Sequence, residues 1–192
     1  MNDRDDHKTH LHSSFGKSTE TGENSHPFGS KILEQSRNLL KKSRTGTHLV
    51  NISDSYGFKP DVTPSPEQNG FLYLDGSMNI PVPVAQNTSD PRQALELAAR
   101  LRDAEQGILG YKRDRDDLPP EELEAQNHAK NLDIIVDLCR ISVELENEAP
   151  EVKNELFKMG YRHIFEAFKE KSGSNDALLN AYEKMIEETK SE

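Results

Sequence analysis

From Glu121 to Ala149 the chain contains neither glycine nor proline, and no other stretch constrains the fold as much. Pro119-Pro120-Glu121-Glu122 reads as a helix start and Pro150 as a stop, which predicts one helix reaching about Glu148. At about 100° per residue, Asp133, Asp137, Arg140 and Glu144 fall within a strip about 60° wide. Leu132, Ile134, Ile135, Val136, Leu138, Cys139, Ile141, Val143 and Leu145 cover about 220° of the remainder. A helix at the edge of a small bundle needs about half that width. This helix is therefore expected either to be contacted on three sides or to keep an apolar strip for a partner, with its charged strip in solvent. It would span about 40 Å, against about 26 Å for the first and fourth of the predicted helices.

Three further helices are predicted around it. The first opens with Asp90 as N-cap, Pro91 at the first helical position and Gln93 completing a capping box. Its stripe is Ala94, Leu97, Leu101, Ala104 and Ile108, and Gly107 and Gly110 end it. The third helix follows Pro150 after a turn so short that it must lie antiparallel to the second, and it runs to Lys171-Ser172-Gly173. Val152, Leu156 and Gly160 lie on one side of it and Phe157, Tyr161, Phe165 and Phe168 on another. The drifting face predicts a change of packing partner along its length. Ser174 or Asn175 caps the fourth, which carries Leu178, Leu179, Tyr182, Met185 and Ile186.

The first ninety residues differ in kind. Seven of the 11 glycines and six of the 10 prolines lie there, among much Ser, Thr and Asn. Such a segment buries too little apolar area to offset its ordering entropy. The expected fold class is all-α: a four-helix, antiparallel, bundle-like domain over 90–190, preceded by a long and mostly disordered arm over 1–69. Within the arm, Ser30 and the spacing of Ile32, Leu33, Leu39 and Leu40 predict a short amphipathic helix over 30–42. Residues 47–58 are expected as a short strand, with Pro60, Pro64 and Pro66 breaking regular structure beyond it. Residues 70–89, with Phe71-Leu72-Tyr73-Leu74, Asp75-Gly76 and Ile80-Pro81-Val82-Pro83-Val84, are expected as an extended or hairpin segment.

Charge narrows the classes of function. Residues 90–192 hold 15 Lys/Arg against 24 Asp/Glu, a balance of −9 within a net −10. An acidic surface disfavours DNA, RNA and anionic lipid. A single cysteine, Cys139, allows no internal disulfide and suits a reducing compartment. The first residues lack the basic and apolar regions of a signal peptide, and no apolar run has the length of a membrane span, so a cytoplasmic location is expected. A secretion route that needs no signal peptide is kept as an alternative.

No motif carries chemistry. His7, His10 and His12 have no ordered carboxylate or thiol beside them. Gly16-Lys17-Ser18 resembles the end of a phosphate-binding loop, but the position of that loop's first glycine is Leu11. Glu124 with His128, and His163 with Glu166, have the wrong spacing or order for a diiron bundle. Cys139 sits among apolar neighbours and reads as a small core residue. No catalytic residue, cofactor or metal is therefore expected.

The reading is a non-enzymatic adaptor that binds another protein, either a basic one or one with an apolar groove. A homo-oligomer is kept as a second possibility for the same surface. Contacts are expected from Ile134, Leu138, Ile141 and Leu145 on helix two, and from Phe157, Tyr161 and Phe165 on helix three. Ile32, Leu33, Leu39, Leu40, Phe71 and Tyr73 would supply short contacts from the arm. The alternatives are an enzyme or injected effector whose site does not show in sequence, nucleic-acid binding through the basic residues 31–44, and a weak membrane contact through 30–42.

Overall fold

The computed structural model describes residues 27–63, 79–83, 88–111, 115, 117–170 and 174–190. Among them the chain is mostly helical. The elements are α1 (Pro27–Leu40), α2 (Arg44–Tyr56), β1 (Lys59–Thr63), β2 (Asn79–Pro83), α3 (Asp90–Ile108), α4 (Pro120–Glu144), α5 (Glu151–Lys158), α6 (Arg162–Glu170) and α7 (Asn175–Lys190). Seven helices and a two-stranded sheet replace the expected four-helix bundle.

The hub is α3, which packs against α1, α2, α4, α5 and β2. Its composition permits this. Ala94, Ala98, Ala99 and Ala104 let neighbours approach closely, while Leu95, Leu97 and Leu101 fill the gaps between them, and all seven are buried. Ser89, one residue before the expected cap, accepts from the Arg92 amide at 3.4 Å, and Pro91 follows in the first turn.

The largest correction concerns the arm. Residues 27–63, expected to be mostly unstructured, form α1, α2 and β1. Helix α1 replaces the expected helix over 30–42 and lies on α3 and β1, with Leu40 fully buried and Leu33 and Leu39 partly buried against the core. Residues 47–58, expected as a strand, lie mostly in α2, because Ser43 caps the helix start and Gly57 ends it at φ 70°. Arg37 of α1 bonds Asp54 of α2 at 2.5 Å. Three turns that are unstable alone are held here by tertiary packing.

The expected hairpin is a parallel pair instead. β1 and β2 run in the register Lys59↔Asn79 to Thr63↔Pro83. Pro60, expected to break structure, sits inside β1. A strand pair with no further strand beside it in this sheet tolerates the missing amides of Pro60, Pro81 and Pro83. Ile80 and Val82 alternate inward to the core, as a half-buried strand requires.

The predicted third helix is two. Gly160 at φ 87° closes α5 with the amide of Gly160 on the Phe157 carbonyl and that of Tyr161 on the Leu156 carbonyl, a Schellman end. The drift in the apolar face marked this break. The second predicted helix stops at Glu144, four residues early, in turns that return the Leu145 and Ala149 amides to the Ile141 and Leu145 carbonyls. No helix among the described residues is long and apolar enough to cross a membrane.

Candidate functional site

The sequence-predicted contact residues separate into three groups. Ile134, Leu138, Ile141 and Leu145 are fully buried, enclosed by the chain's own helices, and Leu40 and Phe165 are buried with them. These are core residues, so no partner reaches them in this fold. Leu33, Leu39, Phe157 and Tyr161 are half-buried against the same core, and Ile32 is half-buried on α1. Phe71 and Tyr73 lie outside the described residues. The wide apolar arc of α4 is covered because α2, α3, α5, α6 and α7 all pack on that helix.

The expected solvated strip on α4 holds for Arg140 and Glu144, which are exposed, but Asp137 is buried and Asp133 half-exposed, and the strip is paired. Arg102 of α3 donates to Asp133 Oδ2 from Nε at 3.0 Å and from Nη2 at 2.7 Å. It also lies 3.2 Å from Asp137 Oδ2 and 2.5 Å from Glu105 Oε2. Gln106 donates to the same Asp133 oxygen at 2.7 Å and to the Lys130 carbonyl at 3.2 Å. Arg140 bonds Asp137 and lies over the ring of Phe168 on α6. On the other side His48 Nε2 is 2.9 Å from Glu105 Oε1. Further along, Glu144 accepts from the Thr45 amide at 2.8 Å and from its hydroxyl at 2.9 Å. One charged seam thus joins α2, α3, α4 and α6.

The seam's electrostatics are those of a structural network. Burial works to lower the Arg102 pKa, but Glu105, Asp133 and Asp137 outweigh it and raise it. Burial raises the Asp137 carboxyl above its ordinary 3.8, opposed by Arg102 and Arg140. A carboxyl whose folded pKa is raised binds its proton more tightly folded than unfolded. Its titration therefore removes stability as pH rises from 3.8 through the folded value. Asp137→Asn removes this loss. Relative to wild type, the variant is expected to gain stability as pH rises through that window, and to lie within about 1 kcal/mol of wild type at pH 7. Urea melts between pH 3.5 and 7 check this. A stability difference that is flat with pH, or that runs the other way, refutes the assignment.

The other candidate groups are inert. Burial pushes the Cys139 thiol up to about 12, so it is not a thiolate at neutral pH. Burial also pushes the Tyr161 hydroxyl up to about 12. No cluster of three metal-ligating side chains occurs among the described residues. His48 with Glu105 has a carboxylate–imidazole geometry, but Arg102 neutralises the same carboxylate.

A different surface is open. The C-terminus of α3 ends in a second Schellman turn, with Gly110 at φ 91° and the amides of Gly110 and Tyr111 on the carbonyls of Gly107 and Gln106. In this motif the residue after the glycine usually packs on an apolar residue five before it. At Gly160 that pair is Tyr161 with Leu156. At Gly110 it is Tyr111 with Gln106, whose amide is committed to α4. Ile108, Leu109 and Tyr111 consequently face solvent at 38, 62 and 52% exposure. The Lys130 ammonium donates to the Tyr111 carbonyl at 2.5 Å and fixes this corner to α4.

Sequence reasoning missed His48, Arg102, Glu105 and Gln106. Their signal was the charged strip on α4, which needed partners on another helix to be legible. No protein-family model, curated protein or solved structure matches the chain.

Proposed function

We propose that the chain is a non-enzymatic protein-interaction module that docks to a larger partner through the corner formed by Ile108, Leu109 and Tyr111. The presentation of Tyr111 carries the reading. Three consecutive bonds, from the Leu109, Gly110 and Tyr111 amides, fix the backbone of the corner before any partner arrives. A preformed aromatic anchor loses little entropy on binding, and tyrosine is enriched among residues that dominate interfaces. Asp117 is paired with Arg115, but the exposed Glu121 and Glu122 put negative charge in the first turn of α4, the helix to which Lys130 ties this corner, and favour a basic partner surface. This moves the docking surface away from the core residues of α4, which were its first candidates. The single cysteine, enclosed in the core, suits a cytoplasmic setting.

A photo-reactive phenylalanine analogue at Leu109, in the native host, tests the reading. A discrete adduct is expected at Leu109, absent from the same probe at the exposed Glu183, and lost when Tyr111→Ser is added. Equal patterns at the two positions, or none at either, would sink it.

A further inference from the structure

Residues 27–63 carry six Lys/Arg and three Asp/Glu, in a chain whose net charge is −10. Three of those cations, Lys41, Lys42 and Arg44, lie within four consecutive residues at the joint between α1 and α2. All three are exposed, and none forms an ion pair among the described residues. Chain connectivity alone holds their Cα atoms within about 11 Å of one another.

The joint is rigid. Ser43 Oγ accepts from the Gly46 amide and donates to the Leu40 carbonyl. Thr47 Oγ1 donates to the Lys41 carbonyl, and Leu40 and Ser43 are buried. The cations therefore project from a fixed backbone.

Helix electrostatics account for only part of this charge. Cations just past the end of α1 favour its dipole, which explains Lys41 and Lys42. Arg44 is the first residue of α2, where the helix dipole disfavours a cation, and the first turn of α2 holds no acid. The Glu144 carboxylate on Thr45 offsets part of that cost, but Arg44 forms no ion pair with it among the described residues, so stability gives only a weak reason for an arginine there. A residue that breaks a local rule with little structural gain points to function.

We infer that Lys41, Lys42 and Arg44 form a recognition corner for a short acidic segment of a protein partner, a refinement that rests on the docking reading above. Of the four amides of residues 44–47, three are occupied. Glu144 takes the Thr45 amide, Ser43 Oγ the Gly46 amide and the Ser43 carbonyl the Thr47 amide. Recognition is by the three side chains, and the Glu144 carboxylate, occupied by Thr45, trims the local field. The size of the corner selects the occupant. A nucleic acid extends far beyond three cations and would meet a chain whose net charge is −10. One or two turns of an acidic helix stay within the corner.

The full chain can be titrated with a fluorescein-labelled twelve-residue peptide rich in Glu, in parallel with a single-stranded oligonucleotide of equal charge and with phosphatidylserine vesicles. Peptide binding is expected to be the tightest of the three, to weaken with salt, and to fall at least about tenfold in Lys41→Glu/Lys42→Glu. Arg44→Glu gives the sharper test. It is expected to weaken peptide binding while leaving Tm within about 2 °C of wild type, because the gain of an acid with the α2 dipole is offset by repulsion from the Glu144 carboxylate bound at the next residue. A Tm lowered by more than that would assign Arg44 to the fold and overturn the inference. So would oligonucleotide or vesicle binding as tight as that of the peptide, or peptide binding that survives both variants. Sedimentation of the same proteins covers a second copy as occupant: self-association lost in Arg44→Glu would overturn the separate-partner assignment. Tyr111→Ser is expected to leave peptide binding unchanged. A failed peptide with a successful Leu109 adduct rejects this corner alone, and the reverse rejects only the apolar docking surface.

Discussion

Replacing Arg102 by Leu is expected to cost on the order of 3 kcal/mol at pH 7, because it takes one cation from each of three carboxylates, two of them largely enclosed. Glu105 and Asp137 are largely enclosed, and Asp133 is half-exposed. Of these three, Asp137 keeps Arg140 and Glu105 keeps His48, while Asp133 keeps only the amide of Gln106. The sign of the pH dependence identifies the mechanism. Burial already raises the Asp137 carboxyl, and without Arg102 one of the two cations opposing that rise is gone, so the variant loses more stability as pH rises through its folded pKa. Its deficit against wild type should be smaller at pH 4 than at pH 7. Adding Asp137→Leu should recover part of the loss, since it removes an enclosed charge left with Arg140 alone and so relieves its desolvation. Urea denaturation at both pH values measures all of this, and a deficit that does not change with pH would show that lost packing, not charge, is responsible.

The second large effect is expected at Gly46, and its direction is unusual. Gly46 lies inside the first turn of α2 and is not among the positive-φ glycines. At such a position alanine ordinarily stabilises a helix by about 1 kcal/mol. Here a Cβ would stand 2.3 Å from the Leu40 carbonyl oxygen and 2.6 Å from Ser43 Oγ. The first contact is with backbone, which cannot swing aside, and the second is with the group that caps the helix. Gly46→Ala is therefore expected to destabilise by about 3 kcal/mol, combining overpacking with loss of the cap. That corresponds to a fall of roughly 6–12 °C in Tm for a domain of this size. An unchanged or raised Tm would mean that the α1–α2 joint opens freely. Hydrogen exchange should show the loss first at the amides of Gly46 and Thr47.

These two residues show how far the sequence could be read. Helices α3, α4 and α7 carry local signals, namely capping residues, prolines at the start and a periodic stripe, and each lies close to where those signals put it. The drift in the apolar face across Gly160 was visible, but the break there was read as a change of packing partner within one helix. The break itself was not legible, because a glycine that continues a helix and one that ends it read alike until φ is known. Helix α2 was misread because Leu49, Val50 and Ile52 suit a strand as well as a helix over so short a run. The decisive residue there, Ser43, is one serine among many. The charged strip of α4 was located correctly, and Arg140 and Glu144 are exposed as expected, but the pairing that buries Asp137 was missed. Placing Asp133 and Asp137 on one face says nothing about Arg102, 31 residues away in sequence from Asp133. The candidate site failed for the same reason: the width of an apolar arc does not state how many neighbours will cover it. Tyr111 was legible only as part of a charged loop, since its exposure depends on Gln106 being drawn towards α4.

The clasp between Thr45 and Glu144 joins residues 99 apart in sequence. On a ribosome the chain emerges from its N-terminus at about 5–20 residues per second, so Thr45 precedes Glu144 by roughly 5–20 s. During that interval Leu40, Leu49 and Val50, all fully buried in the finished fold, have at most part of their cover. Two short helices that cannot persist unaided must wait for α3 and α4 to be made. Nascent chains halted before Glu144 should therefore be bound by chaperones and cut readily by protease. Chains halted after α4 has cleared the exit tunnel should lose both sensitivities together.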